Sequence, residues 1–132
     1  MSRRLRVLVL DDDDRFRGAF VDLLSDDSRI DVIAAVGDAD AALAAVARRC
    51  PDVAVVDVRM PGTNGVEATR LLRAVCPGMR VFGLSLYSDA SHREAMQDAG
   101  AERYFVKGRT ELDVVDAIFE PPPEVTARTA AR

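Results

Sequence analysis

Asp11 and Asp12 directly follow the apolar run Val7-Leu8-Val9-Leu10, and Asp57 directly follows Val53-Ala54-Val55-Val56. Ser85 follows Val81-Phe82-Gly83-Leu84, and Lys107 follows Tyr104-Phe105-Val106. Just beyond a buried segment a carboxylate has no packing purpose, so these positions are where chemistry is sought first. Carboxylates gathered at one place repel each other and stay ionised together only with protons or a cation nearby. An all-oxygen donor set suits a hard cation, and Mg2+ typically takes one or two carboxylates with waters and phosphate oxygens. A carboxylate is also a covalent nucleophile that forms aspartyl-phosphate. Phosphoryl transfer then needs positioning, a divalent ion, and cationic or hydrogen-bonding groups around the oxygens, which Lys107 and Ser85 supply. Taken singly, each has a plainer reading. Asp11 to Asp14 reads as a solvated acidic turn, and Ser85 or Lys107 as a surface residue. The ordered set, carried on four separate segments, favours the chemistry.

The elements that must position these residues follow from the hydrophobic pattern. Val7 to Leu10 predicts a strand buried on both faces. Phe16, Ala19, Phe20, Leu23 and Leu24 share one helical face, which predicts a helix over 15–24 with Asp14 as N-cap. Asp31 to Val36 predicts a second strand, broken by Gly37-Asp38, and Asp38 caps an alanine-rich helix from Ala39 to about Arg49. Val53 to Val56 is the third strand, ending at Asp57. Met60-Pro61-Gly62-Thr63-Asn64-Gly65 concentrates turn formers and predicts a loop before a helix from Val66 to about Val75. A strand over 81–84, a helix over 90–99 closed by Gly100, a strand over 104–106 and a helix over 111–119 complete the pattern. Pro121-Pro122-Pro123 stops the last helix, and 120–132 reads as a Pro-rich polar tail or the start of a linker.

Five strand–helix units with right-handed crossovers predict an α/β fold, a doubly wound five-stranded parallel sheet with helices on both faces. In such sheets ligands bind beyond the carboxyl ends of the strands, where the strand order reverses. With strand order 2-1-3-4-5 the first and third strands are neighbours there, which brings Asp11, Asp12 and Asp57 together.

A chain of 132 residues fits one domain and buries a core without cross-links. The net charge of −4 speaks against a nucleic-acid surface on this domain. Cys50 and Cys76 belong to no CxxC or Cys/His cluster, so no zinc site is readable. Each directly precedes a proline and reads as a reduced thiol at the end of a helix. The start of the chain is basic, but its apolar run ends at Asp11, too short for a signal core or a membrane span. The expected compartment is the cytoplasm, with no membrane contact.

The motifs Val7-Leu8-Val9-Leu10-Asp11-Asp12, Val56-Asp57-Val58-Arg59-Met60-Pro61-Gly62, Leu84-Ser85 and Tyr104-Phe105-Val106-Lys107 stand in this order and spacing. Over residues 5 to about 119 the chain resembles a response-regulator receiver domain of two-component signalling, a flavodoxin-like fold, so 1–119 reads as that domain. The stretch from Arg59 to Arg73 is most similar to receivers that precede a LuxR-type DNA-binding domain. The resemblance implies a phosphorylatable switch rather than an enzyme. Asp57 would accept a phosphoryl group from a phosphohistidine on a sensor histidine kinase. Asp12 and Asp57 would ligate Mg2+ directly, Asp11 mainly through water, and the Arg59 backbone carbonyl would complete the protein ligands. Lys107 would pair with the phosphoryl oxygens, Ser85 would hydrogen-bond the same group, and Tyr104 would follow Ser85 inward as a rotamer switch. The output would be a changed surface on the fourth helix, fifth strand and fifth helix, used for homodimerisation or for transcription through a DNA-binding domain beyond this sequence.

Departures from the family pattern add expectations. Asp13 and Asp14 extend the acidic pair. Gly108 stands where many relatives have proline, so a trans peptide or a glycine-relaxed loop is expected after Lys107. Leu86 replaces a small residue, and with Arg59 and Tyr87 it would shield the phosphorylated aspartate from water. Two other readings compete. One is an atypical receiver that binds proteins without phosphorylation. The other is a haloacid-dehalogenase-like phosphatase, whose Asp-x-Asp pattern Asp11 and Asp13 satisfy, although the cap region and later acidic metal pair of that family are not found.

Overall fold

The computed structural model describes residues 3–60, 62, 64–86, 90–108 and 110–122. Pro61, Thr63, Tyr87 and the tail from Pro123 onward, all of which entered the sequence reading, lie outside the described residues.

The chain alternates strand and helix throughout: β1 (Leu5–Leu10), α1 (Asp14–Ser25), β2 (Ile30–Val36), α2 (Ala39–Arg48), β3 (Val53–Asp57), α3 (Gly65–Val75), β4 (Arg80–Ser85), α4 (Ala90–Ala99), β5 (Arg103–Val106) and α5 (Glu111–Ile118). The strands form one sheet in the order β2-β1-β3-β4-β5, with every neighbouring pair parallel. This is the doubly wound architecture expected from the sequence.

Strand side chains alternate between two apolar layers because the period of a strand is two residues. Val7, Val9, Val53, Val55, Phe82 and Leu84 face α1 and α5, where they meet Phe20, Leu24, Val114 and Ile118. Leu8, Leu10, Ala54, Val56 and Val81 face α2, α3 and α4, where they meet Val46, Leu72 and Met96. A sheet covered on both sides explains why the strands read as unbroken apolar runs instead of alternating ones.

Two local readings are corrected. Asp13, not Asp14, is the N-cap of α1, its carboxylate accepting from the N–H groups of Arg15 and Phe16. Asp14 is already the first helical residue and pairs with Arg17 three positions on, at 2.6 Å. The cap falls on the residue still in extended conformation (φ −81°, ψ 103°), from which a short carboxylate reaches the exposed N–H groups of the first turn.

The larger correction concerns the cysteines. They are not two reduced thiols: Cys50 and Cys76 are joined in a disulfide, with Cα atoms 5.8 Å apart across a sequence separation of 26. Cys76 caps the C-terminus of α3, and Cys50 follows the last residues of α2. Parallel packing of α2 beside α3 on one face of the sheet brings these two helix ends together.

Candidate functional site

The register of the sheet delivers every residue singled out by its position after a strand to the same edge. Leu10 pairs with Val56, so Asp11 and Asp57 emerge side by side. Asp57 pairs with Leu84, which places Ser85 one step further along β4. Ser85 pairs with Val106, and the N–H of Lys107 donates to the Ser85 carbonyl at 2.7 Å. Asp12, Asp13, Asp57, Arg59, Ser85, Leu86 and Lys107 line one cleft of about 280 Å3. A larger cavity of about 690 Å3 opens between Arg59, Met60 and α4, and among the described residues no carboxylate lines it.

Asp11, Asp12 and Asp57 each offer a carboxylate oxygen, and these oxygens lie within 4.8 Å of one another. Asp11 is 2% exposed and Asp57 4%, so neither is a solvated surface acid. Lys107 sits between them, also buried, with Nζ 2.6 Å from Asp11 Oδ2 and 3.4 Å from Asp57 Oδ2. The Lys107 ammonium therefore pairs with two of the three carboxylates, and it sits closer to Asp11 than to Asp57. Burial pushes the Asp57 carboxyl up, and the Asp11 charge adds to this. A side-chain hydrogen bond with Asp12 also raises it, while Lys107 and the N–H of Arg59 pull it down. The net result is a carboxyl pushed from 3.8 to about 7.

Backbone contacts fix the geometry around these charges. The N–H of Asp13 donates to Asp11 Oδ1 at 2.9 Å, and the N–H of Arg59 to Asp57 Oδ1 at 3.3 Å. The Lys107–Gly108 peptide is trans, and Gly108 has φ +86°, a left-handed conformation that a side chain would resist. The glycine thus makes the turn after Lys107, and Lys107 is still held by Asp11. Arg59 and Leu86 are exposed at the mouth of the cleft, Leu86 at 65%. Tyr104 is buried against Gly83 and Met96. A Cβ on Gly83 would lie 3.2 Å from the Tyr104 ring and 3.0 Å from Met96 Cε.

Three supporting residues escaped the sequence reading. The ring of Phe16 lies 4.5 Å from Lys107 Nζ, so an α1 core residue also faces the ammonium through its π-cloud. Arg17 Nη1 donates to the backbone carbonyl of Asp11 at 2.6 Å. Gly65 opens α3 so close to β3 that a Cβ there would fall 2.2 Å from the Asp57 carbonyl oxygen. A glycine at the end of a turn-rich stretch was the one available signal for Gly65. Phe16 and Arg17 gave none beyond their place on an amphipathic helix.

The donor set fits a hard divalent cation. It is all oxygen and buried on two of its three carboxylates, with more negative charge than the Lys107 ammonium neutralises.

The fold and this cleft together define a class. The family profile described as Response regulator receiver domain matches residues 7–119, and the chain belongs to that family. Among curated relatives, the DNA-binding transcriptional activator DevR/DosR of Mycobacterium tuberculosis is 38% identical over 117 residues, covering 86% of this chain and 52% of the relative. The transcriptional regulatory protein LnrK of Bacillus subtilis is 29% identical over 131 residues, covering 94% of this chain and 60% of the relative. The chain thus spans between half and two thirds of the length of these relatives. Among solved structures, the signal receiver domain of the putative response regulator NarL from Mycobacterium tuberculosis superposes with a TM-score of 0.82 at 30% identity, covering 89% of this chain and 94% of that one. Among the described residues no helix is long and apolar enough to cross a membrane.

Proposed function

We propose that the chain is a phosphorylatable switch in which Asp57 takes a phosphoryl group from a phosphohistidine of a sensor histidine kinase. An Asp57 carboxylate oxygen forms the new bond to phosphorus as the phosphorus–nitrogen bond of the phosphohistidine breaks. The observation that carries this reading is the convergence of Asp57, Asp11, Asp12, Ser85 and Lys107, from four strands, on one cleft. Asp11, Asp12, Asp57 and the backbone carbonyl of Arg59 would hold Mg2+, whose charge offsets that of the carboxylates and of the transferred group.

The protein's own groups do the rest. Lys107 already stands 3.4 Å from Asp57 and pairs with the phosphoryl oxygens, while Asp11 keeps it oriented. Phe16 limits where the ammonium can go. Ser85, buried at the end of β4, donates its hydroxyl to the phosphoryl group, and Tyr104 packs inward behind it. The surface of α4, β5 and α5 changes with this movement and serves as the output, including homodimerisation. The relatives' printed functions favour transcription as the final output. The domain itself binds neither nucleic acid nor membrane, turns over no substrate of its own, and works in the cytoplasm.

Incubation with a small-molecule phosphoryl donor and Mg2+, followed by intact mass, tests the proposal. One added phosphoryl group is expected, lost in Asp57→Ala and without Mg2+. A protein that takes no adduct from any donor, with any divalent ion, is instead a phosphorylation-independent binding module.

A further inference from the structure

The phosphoryl chemistry makes no use of the Cys50–Cys76 disulfide, yet the bond is placed around it. The segment between the two cysteines consists of β3, Asp57, the loop that follows, and all of α3. At its far end Gly65 packs directly on the Asp57 carbonyl, and its N–H donates to Val58 at 2.8 Å. The disulfide therefore closes a covalent ring around the unit that carries the phosphoacceptor.

The fold does not need this bond as a staple. A domain of this size builds a sufficient core from side chains, and two apolar layers do so here. The end of α3 is also held without it. Arg73 Nη1 donates to the Met79 carbonyl at 2.6 Å, Arg73 Nη2 to the Pro77 carbonyl at 3.3 Å, and the Cys76 N–H to Leu72 at 2.9 Å.

The two cysteines are also unequal. Cys76 is 2% exposed, whereas Cys50 is exposed, and both border an open cavity of about 430 Å3 with Pro51, Pro77 and Gly78. An attacking thiolate reaches Cys50 from solvent, and Cys76 is left as the sheltered leaving group. Disulfides that respond to redox conditions are exposed on at least one sulfur, whereas structural ones resist exchange in the folded state.

We propose that Cys50–Cys76 is a reversible thiol–disulfide site, reduced in the folded domain by a dithiol, and that its state sets how readily the β3–α3 unit opens. A thiolate of the dithiol attacks Cys50 Sγ, the Cys50–Cys76 bond breaks, and Cys76 leaves as a thiolate that takes up a proton. The second donor thiol then displaces Cys50 from the mixed disulfide. Two electrons and two protons pass to the protein, which gains two thiols, and the donor ends as its own disulfide. Reduction removes the restraint on the segment and leaves the charges of the cleft unchanged. The proposal goes beyond the phosphoryl switch and does not depend on it, because its readouts are thiol state and hydrogen exchange.

The test uses the full chain, purified in air and kept in native buffer. Before treatment N-ethylmaleimide adds to neither cysteine; after incubation with dithiothreitol, without denaturant, it adds to both. Amides of β3 and α3 then exchange roughly tenfold faster or more in the reduced protein, the direction that loss of a loop-closing bond dictates. In Cys50→Ser/Cys76→Ala the dithiol changes nothing. Cysteines that label before reduction, a disulfide that opens only in denaturant, or a reduced protein with unchanged exchange in β3 and α3 would each overturn the proposal. Asp57 phosphorylation, measured separately on both redox forms, distinguishes a failure of this proposal from a failure of the switch.

Discussion

At the amino-terminal edge of the sheet charges come in matched sets. Arg80 meets Glu102 at 2.8 Å through Nε and donates to the Ile118 carbonyl at 3.0 Å, closing the C-terminus of α5. Asp52 accepts from the Arg6 N–H at 2.8 Å and from Arg3 at 2.9 Å. Burial works against the Asp52 charge, but these partners outweigh it and hold the carboxyl below its ordinary value. At the carboxyl edge the charges are less evenly matched: the carboxylates of Asp11, Asp12 and Asp57 gather where Lys107 pairs with Asp11 and Asp57, and Asp57 is pushed up to about 7. The two edges therefore respond oppositely to pH. A depressed carboxyl such as Asp52 lends stability that is present above its unfolded value and lost as pH falls through the folded one. A raised carboxyl such as Asp57 costs stability as pH rises from its unfolded value through about 7. The difference separates a part of the sheet that holds itself together from a part kept short of positive charge for a cation and a phosphoryl group.

The largest expected effect comes from removing that shortage. Between its ordinary 3.8 and about 7 the folded protein binds more protons at Asp57 than the unfolded chain does, so stability falls across this window. Without divalent ions near pH ~8, Asp57→Asn should unfold at higher urea than wild type. Saturating Mg2+ should narrow the gap. Denaturation curves of both proteins across pH check this, and equal pH dependence would remove the contrast between the edges.

Next in size is the matched edge. Arg80→Ala leaves Glu102 without its partner and the Ile118 carbonyl without the Arg80 donor. It should cost about 2–4 kcal/mol in denaturant unfolding while leaving phosphorylation of Asp57 intact. Loss of phosphorylation in a folded Arg80→Ala protein would mean that the two edges are not independent.

The smallest effect is kinetic. Leu86→Ala opens the mouth of the cleft and should speed loss of the phosphoryl group several-fold, roughly 1 kcal/mol in barrier. The decay of phosphorylated protein, followed by intact mass, measures it, and an unchanged or slower rate would show that Leu86 shields nothing.

Much of this was readable from residue order, for physical reasons. Val7 to Leu10 and Val53 to Val56 are unbroken apolar runs because both faces of the sheet are covered, so the strands announced themselves. Asp11, Asp57, Ser85 and Lys107 stood out because each follows such a run, and parallel register then carries them to one edge. What stayed hidden depends on packing between elements distant in sequence. The Cys50–Cys76 bond needs α2 laid beside α3, and neither spacing nor motif signals that. Phe16 was legible as a core residue but not as the face presented to Lys107. Asp13 and Asp14 are chemically identical, and only the backbone turn into α1 decides which one caps it.

A carboxyl-carbon NMR titration of Asp57, run on the full chain with and without Mg2+, tests the central claim most directly. In the metal-free protein the Asp57 resonance should titrate near 7, far above its ordinary 3.8, and Mg2+ should keep the group ionised well below that midpoint. A midpoint near 3.8 that Mg2+ does not move would contradict an edge held short of positive charge around its phosphoacceptor.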